Sequence, residues 1–127
     1  MEGKSNVKRG DVWAVDLELA KGAEMKKRRP CVVVSNNTAN KYSPLVTVAV
    51  ISTTAPRKSY PFIVEIPDSA NMPGRSWIHC NQIRTVDKGS RFGRYYTSLD
   101  ADTMRKVDRA LRVQLALDTT ERQTVDE

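Results

Sequence analysis

Arg29 stands immediately before Pro30 in the stretch Lys-Lys-Arg-Arg-Pro-Cys-Val-Val-Val-Ser, which runs from Lys26 to Ser35. Basic clusters usually occupy loops or tails, but this one is attached directly to a β-branched run. A guanidinium carries a fixed positive charge and a planar fork of donors that fits a phosphate at two points. Held by Pro30 at the start of a strand, Arg29 reads as a preorganised phosphate clamp with little freedom to lose. The alternative is that the four bases form a solvated loop.

Other chemistries are poorly supplied. The chain has one histidine, His79, which falls in the middle of a strand pattern and reads as structural rather than catalytic. Acid–base cleavage of RNA by two histidines is excluded by count. No paired carboxylates or histidines stand at metal-ligand spacing, so no metal and no cofactor are expected. The glycine-rich phosphate loop G-x-x-x-x-G-K is absent. Cys31 and Cys80 lie in apolar strand patterns with no zinc spacing and read as buried, reduced thiols. Arginine and hydroxyl chemistry remains. A phosphoryl-transfer transition state spreads negative charge over its equatorial oxygens, so positioning and charge stabilisation supply much of its catalysis. RNA brings its own nucleophile, the 2′-hydroxyl. A metal-free RNA cleaver of this kind would leave a 2′,3′-cyclic phosphate and a 5′-hydroxyl.

The elements that must hold Arg29 follow from hydrophobic periodicity. The chain has 127 residues, 39% hydrophobic and 28% charged, which suits one globular domain. Residues 1–118 are expected to form it, with 119–127 as a polar tail. Residues 11–19 alternate, placing Trp13, Val15, Leu17 and Leu19 on one strand face. Residues 30–35 form a short strand that Pro30 must begin, since proline cannot donate to a ladder. Residues 45–52 read as a strand buried on both faces. Residues 62–66 alternate, with Phe62, Val64 and Ile66 together. Residues 75–86 form a long strand in which Trp77 and His79 oppose Gln82 and Arg84. After Asp100, a plausible N-cap, Met104, Val107, Leu111 and Leu115 recur at helical spacing, and Asp108 and Arg112 form an i,i+4 pair. The class is mainly β with α (α+β): an antiparallel barrel or sandwich with one C-terminal amphipathic helix. The net charge of +6 favours a polyanionic partner. No apolar run reaches membrane-spanning length, and the N-terminus lacks an apolar signal core, which predicts a cytoplasmic protein with no membrane partner.

Five segments in order then become recognisable: Lys8–Leu17, Gly22–Ser35, Val48–Ile66, Asn81–Lys88 and Met104–Leu117. Together they resemble the MazF/PemK family of toxin endoribonucleases. The most specific elements are Arg-Pro before a β-branched strand and the N-terminal Arg-Gly-Asp-Val-Trp. The resemblance implies an SH3-like barrel and a homodimer that cleaves single-stranded RNA at short motifs without metal. It also implies a small MazE-like antitoxin whose extended segment blocks the RNA groove. The family's catalytic arginine falls on Arg29. Its catalytic threonine falls on Ser52 or on Thr53, depending on register. Either hydroxyl could donate to the scissile phosphate. A guanidinium holds its proton tightly, so Arg29 suits charge stabilisation better than proton donation. Glu24, in the same loop, is the candidate base for the 2′-hydroxyl.

Lys26, Lys27 and Arg28 depart from the small residues that many relatives carry there, and read as additional phosphate contacts. Tyr60 could stack on a base. Asn81 and Gln82 offer paired donors and acceptors, and Gln82 with Arg84 marks the face preferred for RNA. Two other functions compete. A gyrase-poisoning, CcdB-like toxin would not need Arg29. A non-catalytic RNA-binding barrel would use only the basic loop.

Overall fold

The computed structural model describes residues 4, 6–18, 21–24 and 27–118. Their order is β1 (Asp11–Asp16), β2 (Arg28–Val33), α1 (Asn37–Tyr42), β3 (Leu45–Ser52), β4 (Ile63–Glu65), a 3-10 turn (Asp68–Ala70), β5 (Trp77–Asp87), α2 (Lys88–Arg91), β6 (Phe92–Ser98) and α3 (Ala101–Leu115). All six strands join one antiparallel sheet in the order β4-β5-β3-β2-β1-β6. The α+β class is as expected. The barrel is not closed: among the described residues, β4 and β6 end the sheet without pairing to each other.

Alternation divides the apolar residues between the two faces. One face carries Trp13, Val15, Cys31, Val48, Val50 and Phe92. Trp13 and Val15 are 0% exposed, and Trp13 packs against the rings of Phe92 and Tyr95 at 5.5 and 5.3 Å. The other face carries Val32, Ala49, Ile51, Val64 and Ile78 and is covered by α3 through Val107 and Ala110. Each side chain of valine or isoleucine size buried this way contributes roughly 1.5–3 kcal/mol. Irregularities in the register bend the sheet. The largest lies between β3 and β5: Val50 pairs with His79, while the adjacent Ala49 pairs with Ile83.

Asp100 caps α3 by accepting from the Thr103 N–H at 2.8 Å, as its position predicts. Met104, Val107 and Leu111 pack on the sheet, but Leu115 is 49% exposed, so the apolar stripe outruns its contact surface. Asp108 does not pair with Arg112. It binds Arg9 at 2.7 Å, and Arg112 lies 3.8 Å from Asp118. Arg9 also donates from Nε to the Val34 carbonyl and from its backbone N–H to Asn37. A partner near in space offered better geometry than the helical neighbour.

Pro30 is the third residue of β2, not its first. It faces Ala14 on β1, while pairing to β3 begins only at Cys31. One side of β2 is therefore unpaired at this point, which is where a residue without an N–H can sit. Helix α2 and strand β6 were not anticipated. Leu19 and the tail at 119–127 lie outside the described residues. No described helix is long and apolar enough to cross a membrane.

Asp11 joins the first strand to the last. It is 2% exposed. Its Oδ2 accepts from Lys4 Nζ at 2.6 Å and from the Lys8 N–H at 2.9 Å, and its Oδ1 accepts from Ser98 Oγ at 2.8 Å. Replacing a buried, fully bonded carboxylate strands its donors. Asp11→Ala is expected to destabilise the protein by about 3 kcal/mol, read as a lower urea midpoint at unchanged slope.

Candidate active site

Strand register decides which side chains meet. Cys31, Val50 and His79 lie in one row across β2, β3 and β5. Arg29 is two residues before Cys31 and Ser52 is two residues after Val50, so both fall on the face of that row. Ser52 pairs in turn with Trp77, and Trp77 with Glu65. This edge of the sheet thus presents, on one side, a guanidinium, a hydroxyl, an imidazole and an indole.

Strict alternation sets His79 against Arg84, and the structure reverses that expectation. Three residues of β5, Cys80, Asn81 and Gln82, lie between the partners of two adjacent β3 residues. Arg84 pairs with Val48, on the face of Val50, so the bulge brings Arg84 and His79 to the same side. The preferred face of Gln82 and Arg84 therefore also carries Arg29 and His79. Gln82 donates to the Ala23 carbonyl at 3.5 Å and Arg84 to the Leu17 carbonyl at 3.4 Å. Arg91 donates to the Asp16 carbonyl at 3.2 Å. Gln82 and Arg84 thus reach the β1–β2 connection, which carries Glu24, and Arg91 reaches the last residue of β1. Glu24 is exposed and accepts from the Lys21 N–H at 3.1 Å.

The electrostatics follow from this crowding. Burial pushes the Cys31 thiol up to about 12, against the opposing charges of Arg84 and Arg29. Burial raises Cys80 to about 11. Both thiols are free and buried, and stay protonated near neutrality. His79 is held below the ordinary imidazole range, first by burial and then by the charge of Arg29.

The side chains of the basic run divide between the two faces of β2. Arg28 belongs to the other face of β2, the face of Pro30 and Val32. Its guanidinium lies against Gly93 on β6, where a Cβ would collide with it. It is separated from Arg29 because consecutive strand residues point to opposite sides. Lys27, Arg28, Arg29, Pro30, Ile51 and Thr53 line a notch of about 210 Å³. Thr53 is exposed there, whereas Ser52 is 7% exposed and accepts from the Thr54 N–H at 3.0 Å. Lys26 lies outside the described residues.

Tyr60 stacks on Phe62 with centroids 5.1 Å apart. Together with Pro56, Lys58, Ile63, Arg75 and Trp77 it lines a cavity of about 440 Å³. Trp77 and Ile63 are cross-strand partners of Ser52 and His79, so this cavity opens on the Arg29 face. Arg75 is held over the Trp77 ring at 5.1 Å and bonded to Glu65 at 2.8 Å. Sequence reading placed Trp77 and His79 away from the site. The signal that could have moved them was the break in alternation at Asn81 and Gln82, two polar residues in succession within an apolar strand.

Lys27 adopts φ +67°, a left-handed conformation unfavourable for a residue with a Cβ. Its carbonyl accepts from the Leu17 N–H at 2.9 Å, which fixes the turn that delivers Arg28 and Arg29. Lys27→Gly is expected to relieve this strain and stabilise the fold by about 0.5–1 kcal/mol, measured by urea unfolding.

Comparison with known proteins places this architecture. A family model described as the PemK-like, MazF-like toxin of type II toxin–antitoxin systems matches residues 8–115. The chain is 39% identical over 114 residues to an endoribonuclease MazF from Staphylococcus saprophyticus, covering 89% of this chain and 94% of that one. Among solved structures, an endoribonuclease in complex with its cognate antitoxin from a mycobacterial species matches with a TM-score of 0.74 at 27% identity, over 89% of this chain and 98% of that one. A MazF from Deinococcus radiodurans shares the fold, with a TM-score of 0.76 at 24% identity over 89% of this chain and 99% of that one. With both family-wide pattern and curated relative spanning nearly its whole length, this chain belongs to the PemK-like, MazF-like toxins of type II toxin–antitoxin systems.

Proposed function

We propose that the chain is an endoribonuclease toxin that cleaves single-stranded RNA at a short motif, without a metal, and is neutralised by a cognate antitoxin. The observation that carries this reading is the placement of Arg29 and Ser52 on one sheet face, beside an aromatic cavity large enough for a base. In the reaction the 2′-oxygen attacks phosphorus, the bond to the 5′-oxygen breaks, and a 2′,3′-cyclic phosphate forms. The 2′-hydroxyl loses its proton to a base, for which Glu24 is the candidate, and the departing 5′-oxygen takes one from solvent water. Arg29 stabilises the charge on the pentavalent phosphate. The Ser52 hydroxyl, whose oxygen already accepts from Thr54, has its hydrogen left to donate to a phosphate oxygen.

Strand parity favours one of the two candidate hydroxyls. Ser52 shares the sheet face of Arg29, whereas Thr53, one residue on, borders a notch that both Arg28 and Arg29 line. Ser52 is therefore assigned to the scissile phosphate, and Lys27, Arg28 and Thr53 to neighbouring backbone. Tyr60 and Trp77 flank a cavity suited to stacking one base, with Gln82 and Arg84 beyond it. A homodimer and a small antitoxin complete the assembly. An acidic, apolar segment would suit the basic face. The protein would act in the cytoplasm.

The test uses a long, mixed-sequence RNA in excess EDTA, with cut sites and end groups mapped. Cleavage at one short motif with 5′-hydroxyl ends is expected. Arg29→Ala should lower kcat by about 10²–10³-fold or more and Ser52→Ala by about 10²-fold, while Thr53→Ala should chiefly raise KM. RNA left intact by the folded wild-type protein would sink the ribonuclease reading. A Thr53→Ala loss exceeding that of Ser52→Ala would reverse the assignment of the two hydroxyls.

A further inference from the structure

His79 has a feature that a purely structural histidine seldom shows. Its Nε2 is buried and has no hydrogen-bond partner among the described residues. An unpartnered buried polar atom costs free energy, on the order of 1–3 kcal/mol, and such an atom calls for a reason in the molecule. The reason is in the surroundings. His79 shares a row with Cys31 and Val50, on the face that carries Arg29 and Ser52.

Resting on the ribonuclease reading above, we propose that His79 is a positioning residue which takes up a proton at Nε2 when a phosphodiester occupies Arg29. The free protein disfavours that proton. Burial and the Arg29 guanidinium both hold His79 below its ordinary range. An arriving phosphodiester carries one negative charge and offsets that of Arg29. The protonated imidazole then adds a second positive charge beneath the phosphate, and its Nε2–H becomes a donor.

The groups that face His79 support this assignment. From β2 come Arg29, whose charge the substrate would neutralise, and Cys31, a thiol raised to about 12 and hence silent at neutral pH. Strand β5 itself adds Arg84 beyond the bulge, bonded to the Leu17 carbonyl. From β4 comes Glu65, beside Trp77 and bonded to Arg75. Strand β3 offers Val50 and Ser52, neither ionised. No described carboxylate is bonded to His79, and an arriving phosphodiester supplies a negative charge to draw the proton.

The sign of the linkage is fixed. The titration of His79 is lower in the free protein than in the complex, so binding takes up a proton between the two values. Within that window, affinity rises as pH falls, by about tenfold per pH unit at most.

One histidine in the chain makes the measurement direct. The full-length protein is titrated by NMR from acid to neutral pH, free and saturated with a 2′-deoxy oligonucleotide, which binds but lacks the attacking hydroxyl. The imidazole is expected to titrate below the ordinary value when free and at higher pH when bound. The Kd of the same oligonucleotide should weaken as pH rises through the window in wild type and stay flat in His79→Gln, whose fold is checked by its urea midpoint. The Arg29→Ala protein should show a smaller difference between free and bound titrations. An imidazole that titrates at the same pH in both states, or a Kd profile that His79→Gln leaves unchanged, overturns the inference while leaving the ribonuclease reading intact. An oligonucleotide that does not bind, or that binds Arg29→Ala equally well, overturns both.

Discussion

The bulge in β5 is the constraint from which the rest of the site follows. A strand alternates its side chains, so a long strand ordinarily offers one set of residues to each face. Between His79 and Ile83 this rule is suspended, and the parity of the strand changes. Ile78 and Cys80 pack toward α3 before the bulge, and Ile83 packs toward α3 after it. The opposite face consequently receives His79 from one segment and Arg84 from the other. One strand thereby supplies apolar side chains to the α3 side both before and after the bulge and, on its other side, an imidazole and a guanidinium on the face of Arg29. The same irregularity bends the sheet.

Much of the fold was legible because periodicity reports burial directly. The limits of β3 coincide with the apolar run, and the Asp100 cap and the first turns of α3 follow from residue types alone. The reading weakened wherever a distant partner set the outcome. Pro30 lies inside a strand because β3 joins β2 one residue later, which no local rule encodes. Asp108 prefers Arg9, nearly a hundred residues away, to Arg112 one turn on. Strand β6 passed unnoticed because its residues, among them Gly93, Arg94 and Thr97, carry a weak apolar alternation; its partner β1 decides its conformation.

The candidate site was legible in part for the same reason. Arg29 stood out because Arg-Pro before a strand is a local pattern with a mechanical meaning. Lys26, Lys27 and Arg28 read as additional phosphate contacts; strand geometry sends Arg29 and Arg28 to opposite faces and rests Arg28 against Gly93, while Lys27, Arg28 and Arg29 all border one notch. Trp77 and His79 were assigned to the wrong side because alternation was carried through a bulge. Where the hydroxyl lies relative to Arg29 depends on the pairing of β2 with β3, which the linear order of Ser52 and Thr53 leaves undetermined.

Strand β1 is held on one side by β2 and on the other by β6, and Arg9 ties the turn before it to α3. In a chain made from its N-terminus, the first strand must therefore wait for nearly the last. Until residues near Ser98 and Asp108 have left the ribosome, β1 lacks one neighbour and Asp11 lacks Ser98. Non-local pairing of this kind slows completion of a native sheet. The first strand is thus among the last elements of the sheet to acquire all its neighbours.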